Sequence, residues 1–254
     1  MILAQFDSNK EAIINPGHAT SRIDNFPKVG VTCFSKTLMD IIVEVFDAQI
    51  IAEVSTANGI RPVYKITYNG KEIALFMSSV GAPACVGIFE EIIAMGLEKL
   101  IMFGTCGTLV KEIEELAIII PTSAIRDEGT SYHYMEASDE VTVNEKYREE
   151  FIDILNQYNC SYVEGKTWTT DAFYRETREK TQRRKEMGCI CVEMECASMS
   201  AVSKFREVDF FEFFYAADNL DDVDWDKRSL DNDAKLSEKE KICNLALELA
   251  LAIM

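Results

Sequence analysis

Two carboxylates, Glu193 and Glu195, stand two residues apart in the otherwise apolar run VEMECASMSAV (Val192–Val202). On a helix they point about 200° apart, and on a strand they share a face. At a strand-to-helix junction one carboxylate enters a cleft while the other meets the helix N-terminus, where negative charge is favourable. The residues alone leave open a plain helix-start pair and a ligand-binding pair.

Other polar or aromatic side chains directly follow strand-like runs, where ligands sit in doubly wound sheets. FGTCG (Phe103–Gly107) follows KLIM and offers an anion the backbone around Gly104 and the Thr105 hydroxyl. It is neither a P-loop nor G-x-G-x-x-G, and a tight turn accounts for it equally well. TTDAFY (Thr169–Tyr174) supplies Phe173 and Tyr174, either as a stacking face for a planar base or as core aromatics. Asp218 ends the apolar run FFEFFYAA, where burial raises a carboxyl pKa and suits it to donate a proton. Asp221, Asp222, Asp224 and Asp226 behind it read as an acidic surface loop or a loose cation site, and His133 as a loop histidine.

The elements that must hold these groups alternate between β-rich runs and segments of helical period, the pattern of βαβ units. KVGVTCF (Lys28–Phe34) reads as a strand and SKTLMDIIVEVFDA as a Ser-capped helix with Leu38, Ile41, Ile42, Val45 and Phe46 on one face. QIIAEVS, RPVYKITYNG and KEIALFMSSV follow as strands, with YNG as a hairpin turn, so the sheet is partly antiparallel. GAPACVGIFEEIIAMG reads as a helix. EKLIMFGTCGTL reads as a strand breaking into a glycine loop, and ELAIIIP as another strand. A helix over Asn144–Tyr158, the strand SYVEGKTWTT and a helix over Glu176–Met187 come next. GCICVEMECASMSAVSKF is strand then helix, DFFEFFYAAD a buried strand and AKLSEKEKICNLALELALAIM a closing helix. The expected fold is a single α/β domain over 1–254, a central mixed sheet flanked by helices, with 1–27 as an N-terminal extension packed on it.

Composition narrows the function classes. Hydrophobic residues make up 48% of the 254, enough apolar surface to fold one sizeable core. The net charge of -17 and the lack of a basic stripe, apart from REKTQRRK (Arg178–Lys185), argue against nucleic acid. The eight cysteines are scattered through apolar runs, as buried thiols in a reducing compartment are. With no C-x-x-C pair and only His18 and His133, no metal site is expected. No leader pattern and no long apolar span is present, which reads as a soluble cytoplasmic protein with no membrane partner.

Taken in order, FGTCGTL, AIRDEGTSYHY, TTDAFY, VEMECAS and AADN resemble the nucleoside phosphorylase family of hexameric purine nucleoside phosphorylases and uridine phosphorylases, from about Lys28 onward. The resemblance implies that fold and cleavage of an N-glycosidic bond, purine favoured and uridine open, with phosphate as co-substrate and no cofactor. It implies Glu195 and Met194 on the ribose hydroxyls, Glu193 supporting them, Phe173 and Tyr174 at the base, and Asp218 protonating purine N7. A carboxylate suits a diol because its oxygens accept from both hydroxyls. Gly104 and Thr105 fall at the phosphate. A homo-oligomer, a dimer or a hexamer built as a trimer of dimers, is implied as well.

The chain departs from that family at the anion. TCFSKTL stands where the family has G-D-P-x-R, and Met102 where an Arg precedes the glycine stretch. Lys36, Arg61 and Arg126 are the substitute cations, and His18 in NPGHAT takes the place of a neighbour-donated His at the sugar. Losing bidentate Arg partners weakens phosphate binding. A hydrolytic nucleosidase and a non-catalytic nucleoside-binding relative therefore stand as alternatives.

Overall fold

The computed structural model describes residues 2–221, 224–231 and 234–254. Its frame is a mixed ten-stranded sheet. β1 (Val29–Cys33), β4 (Lys71–Met77), β5 (Lys99–Thr108) and β10 (Asp209–Asn219) run parallel. β2 (Gln49–Thr56) and β3 (Gly59–Tyr68) extend one edge antiparallel, as the sequence predicts. Asn69 and Gly70 take the positive φ of 46° and 77° that the tight turn into β4 demands.

A second group, β6 (Ile118–Asp127), β8 (Tyr162–Thr170) and β9 (Cys189–Glu193), is internally parallel but opposite in sense, with β7 (Glu140–Thr142) on β6. β10 meets β6 antiparallel and β5 meets β9 antiparallel, so the ladders β5–β10–β6–β8–β9 return to β5 and close a ring. Closure brings the carboxyl ends of two opposed strand groups together. Gly107 of β5 pairs with Val192 of β9 on one side and with Asp218 of β10 on the other.

Helices cover both faces. Leu38 and Ile42 of α2 (Lys36–Val45), Phe151 and Ile154 of α4 (Arg148–Gln157) and Leu247 of α7 (Leu236–Ala252) share a core with Val31, Ile101 and Phe103. Val86 and Ile92 of α3 (Ala82–Met95) and Met199 and Val202 of α6 (Cys196–Arg206) share the other with Leu100 and Met102. Successive β5 residues thus feed opposite cores, as strand alternation requires. Phe103 stacks on Phe213 at 5.6 Å, and Phe151 lies 4.4 Å from Phe213. The Ser35 hydroxyl accepts from Leu38 N at 3.3 Å and starts α2 as a side-chain cap.

The N-terminal residues lie along α3 and α6. Phe6 packs edge-on against Phe205 at 6.2 Å, α1 (Pro16–Ala19) contacts α3, and Ile23 N donates to Met95 O at 2.9 Å. α5 (Arg178–Glu186) starts at the Thr177 cap, whose hydroxyl accepts from Lys180 N. Its basic run is ion-paired: Lys180 and Arg184 reach Asp127 at 2.7 and 3.1 Å, and Lys185 reaches Asp221. All eight cysteines are free thiols, seven of them buried. Among the described residues no helix is long and apolar enough to cross a membrane.

Several sequence boundaries need correction. FGTCG is not a loop: β5 runs unbroken through it to Thr108. α4 starts at Arg148 rather than Asn144, because Asn144 and Tyr147 hold positive φ of 55° and 64°. β6 continues past Pro121 to Asp127, its register against β8 shifting between Pro121 and Ser123, the kind of irregularity a strand proline needs. α5 begins at Arg178 rather than Glu176.

Candidate active site

The β9-to-α6 junction separates the two carboxylates of VEMECAS. Glu193 ends β9 beside Thr169 of β8. Its Oε1 accepts from the hydroxyls of Thr167 and Thr169 at 3.2 and 2.5 Å, and its Oε2 from the amides of Glu195 and Cys196, both at 2.7 Å. Thr169 Oγ1 in turn accepts from Ala197 N at 3.0 Å. These bonds satisfy the orphan N–H groups that open α6 and set negative charge at its positive end. Burial pushes the Glu193 carboxyl up to about 7 against the downward pull of those donors.

Glu195 turns the other way. Its Oε1 accepts from Gly81 N at 2.5 Å, at the start of α3, so the carboxyl bridges the first turns of two helices. Its own carbonyl accepts from Met199 N and Ser198 Oγ. Burial first, then the Glu193 charge, push its carboxyl up to about 8. Met194, between them, is half-buried. Behind this pair lies Glu212 of β10, 1% exposed, with Oε2 lacking a hydrogen-bond partner among the described residues. Its carboxyl is pushed far above the ordinary range by burial and by Glu193 and Glu195.

Asp218 reaches the same region by a backbone irregularity. The β10–β5 register slips between Ala216 and Asp218, an extra residue that re-aims the side chain. The carboxyl then lies over Gly107, where a Cβ would meet Leu220 Cδ1 at 2.4 Å and Asp218 Oδ1 at 3.2 Å. Only glycine leaves room for this approach. Trp225 Nε1 donates to Asp218 Oδ2 at 2.7 Å, and burial raises the carboxyl pKa. Of the acids trailing Asp218, Asp221 is paired with Lys185 and Asp226 with Arg228, and Asp222 lies outside the described residues. Among the described residues no group of acids, histidines and cysteines is arranged to hold a metal ion.

The aromatic pair follows β8 in a 3-10 turn (Phe173–Arg175), with ring centroids 4.2 Å apart. Phe173 is half-exposed and Tyr174 more so, which makes them a surface face rather than core. Thr105 is half-buried on β5, but Gly104 is covered: a Cβ there would lie 2.8 Å from Phe34 Cδ2. Phe34, from the segment TCFSKTL, thus occupies the space above Gly104.

The cations named from sequence lie on three separate elements, α2, β3 and β6. Lys36 faces solvent and pairs with Asp40 at 2.5 Å. Arg61 lies on β3, separated from β5 by β4 and β1, about 14 Å at ordinary strand spacing. Arg126 is buried near the end of β6 and turns its guanidinium to the segment that follows, donating to Ser131 Oγ, Glu136 O, Ser138 Oγ and Met135 O. His18 lines an open cleft of about 480 Å³ with Glu90 and Arg206. Arg206 ends α6, about 16 Å along the helix from Glu195. His133 is exposed at a second cleft of about 380 Å³ with Pro83 and Gly129. The structure therefore sets Asp218 and Val192, the residue before Glu193, on either side of Gly107 at the ring's closure, with Met194 and Glu195 following Glu193 into α6. It adds Glu212 and Trp225, which sequence reasoning missed. An acid in the middle of FFEFFYAA was the visible signal for Glu212; Trp225 carried none.

The comparisons agree with this frame. Residues 28–254 match the profile of the phosphorylase superfamily. A guanosine phosphorylase of Halorubrum lacusprofundi is 24% identical over 195 residues, 77% of this chain and 78% of that protein. A DeoD-type purine nucleoside phosphorylase of Caldanaerobacter subterraneus subsp. tengcongensis is 28% identical over 167 residues, 64% of this chain and 72% of that protein. The fold matches a uridine phosphorylase from Vibrio fischeri ES114 with a TM-score of 0.79 at 21% identity, covering 95% of this chain and 99% of that one. It matches the Toxoplasma gondii purine nucleoside phosphorylase with a TM-score of 0.77 at 15% identity, over 91% and 92% of the two chains. With the family profile covering all but the N-terminal residues, the chain belongs to the phosphorylase superfamily.

Proposed function

We propose that the chain is a nucleoside phosphorylase, cleaving the N-glycosidic bond of a purine nucleoside with phosphate to give free base and ribose 1-phosphate. The observation that carries this reading is the placing of two differently equipped acids about the ring's closure, Glu195 at the start of α6, two residues beyond β9, and Asp218 over Gly107. In this reading Glu195, with Met194, holds the ribose diol, each hydroxyl donating to the carboxylate. Phe173 and Tyr174 face the base. Asp218, its carboxyl pKa raised by burial, donates a proton to N7, so the electron pair of the breaking bond goes to a base that leaves uncharged. Stabilising the cationic sugar and the departing base only as they form is what raises the rate.

The named activities of the Halorubrum and Caldanaerobacter relatives support purine nucleosides as the substrate class. The reading includes phosphate at Thr105 and Gly104, and no cofactor. It also includes a homo-oligomer whose neighbouring copy supplies cations such as Arg61, which within one copy is separated from β5 by β4 and β1. Exposed Ile50, Ile60 and Val80 support such an assembly. A second reading, hydrolysis by water, is favoured by one observation: Phe34 covers Gly104.

The test is to incubate inosine, adenosine, guanosine and uridine with and without phosphate and to follow base and ribose 1-phosphate. Base release that requires phosphate supports phosphorolysis. Equal release in phosphate-free buffer supports hydrolysis, and binding without release overturns both.

A further inference from the structure

Trp225 follows the strand that carries Asp218 and is folded back onto it. Asn219 N donates to Asp226 O at 2.9 Å, Asp226 N to Asn219 O at 3.2 Å and Ser229 N to Ala217 O at 3.0 Å, so backbone bonds tie this segment to the end of β10. Asp218 and Trp225 each precede a residue of the antiparallel Asn219–Asp226 pair, the diagonal relation on one face across which an aromatic side chain still reaches. The indole makes that reach: its Nε1 donates to Asp218 Oδ2 at 2.7 Å, while Trp225 as a whole stays 60% exposed. A ring this open has water at hand, so its own burial does not force the contact. Arg228, three residues on, donates instead to Asp226 and to the Ile113 carbonyl.

An indole N–H donates and cannot accept. In a protonated carboxyl the carbonyl oxygen is the better acceptor, so the oxygen that meets Trp225 is the one without the proton. The proton of Asp218 then rests on Oδ1, the oxygen over Gly107. Resting on the purine reading above, we propose that Trp225 is a positioning residue for proton transfer, which keeps the Asp218 proton on Oδ1 and borders with its ring the base that receives it. In that step the Oδ1–H bond breaks and an N–H bond forms at N7. The electron pair of the breaking C–N bond stays with the base, which leaves uncharged, and Asp218 is left as a carboxylate. The Trp225 hydrogen bond, neutral before transfer, becomes charge-assisted and about twice as strong. An interaction that strengthens only as the proton moves acts on kcat rather than on KM. Burial raises the Asp218 pKa and the indole bond pulls against it, which favours release of the proton. The ring's place follows from the same contact, because a base bonded to this carboxyl is one hydrogen bond away from the group that the indole touches.

The experiment compares Trp225→Phe, which keeps an aromatic ring and removes the donor, with the wild-type protein on inosine and on 7-methylinosine, in whichever of phosphate or phosphate-free buffer supports turnover. The methylated base already carries its positive charge and leaves neutral without a proton. For inosine kcat is expected to fall about tenfold with KM little changed, and for 7-methylinosine kcat is expected to hold. An unchanged kcat for inosine, an equal loss on both substrates or a loss confined to KM overturns the assignment. Acrylamide quenching of the wild-type fluorescence tests the ring's place without a variant, because the other of the two tryptophans, Trp168, is fully buried. Hypoxanthine, at a concentration that fully inhibits turnover, is expected to cut the quenching by about half or more, since a bound ligand covers the pocket wall; unchanged quenching overturns the assignment. Asp218→Asn separates the two failures. A fall in its inosine turnover keeps the purine reading when the Trp225 role is lost, and a wild-type rate takes both.

Discussion

Glu193 and Glu195 share a residue type and a raised pKa, but the donors that reach them set their work apart. Glu193 spends both oxygens on four donors of β8 and α6, while Glu195 reaches across to a single amide of α3. A diol that donates to Glu195 selects its ionised form, so nucleoside binding expels a proton. Affinity for a ribonucleoside is therefore expected to rise as pH approaches about 8, measurable as proton release in calorimetry run in two buffers of different ionisation enthalpy. Glu195→Ala, which removes hydrogen bonds to a charged acceptor worth about 1.5–3 kcal/mol each, is expected to lower kcat/KM by on the order of 100-fold or more. A variant within a factor of two of wild type removes the ribose role. Asp218→Asn keeps an acceptor for Trp225 and loses the proton, so kcat for purine nucleosides is expected to fall about 10²–10⁴-fold with the thermal midpoint little changed.

The element that carries most of this geometry is the opening of α6, held by β8 threonines and a β9 glutamate instead of an ordinary cap. Thr169→Val leaves Glu193 Oε1 and Ala197 N each short of a partner. It is expected to destabilise the fold by about 1–3 kcal/mol, read from urea midpoints, with a larger fractional loss of activity than of stability. β5 makes the complementary demand, because Gly107→Ala drives a methyl into Leu220 and Asp218. Helix faces, the YNG hairpin and the mixed sheet were legible because each depends on local period or turn chemistry. The loop reading of FGTCG failed because its glycines answer to neighbours far along the chain, Phe34 over Gly104 and Asp218 and Leu220 over Gly107. Glu212 showed in the sequence only as an acid inside an apolar run, because sequence does not reveal Glu193 and Glu195, the acids whose charge acts on it in the fold.

At the scale of the molecule, a chain of net charge -17 has folded several of its acids inward where they resist ionising. Glu193 and Glu176 are pushed up to about 7, Glu195 to about 8 and Glu212 well above the ordinary carboxyl range, each chiefly by burial. Unfolded, these carboxyls ionise near their ordinary pKa of about 4.3, so between pH 5 and 8 the unfolded chain binds fewer protons than the native one. Stability must then fall as pH rises through that window. Acids held low by ion pairs, such as Asp127 and Asp209, act in the opposite sense, but their contribution is lost only below about pH 4. The thermal midpoint is therefore expected to be higher at pH 5.5 than at pH 8. Glu212→Gln, which removes an acid whose Oε2 has no hydrogen-bond partner among the described residues and which has no assigned part in binding, is expected to flatten that slope and to gain stability chiefly at pH 8. A wild-type midpoint that rises from pH 5.5 to 8, or an unchanged slope in the variant, would show that these acids ionise in place, with solvent or a neighbouring copy supplying the charge that one chain lacks.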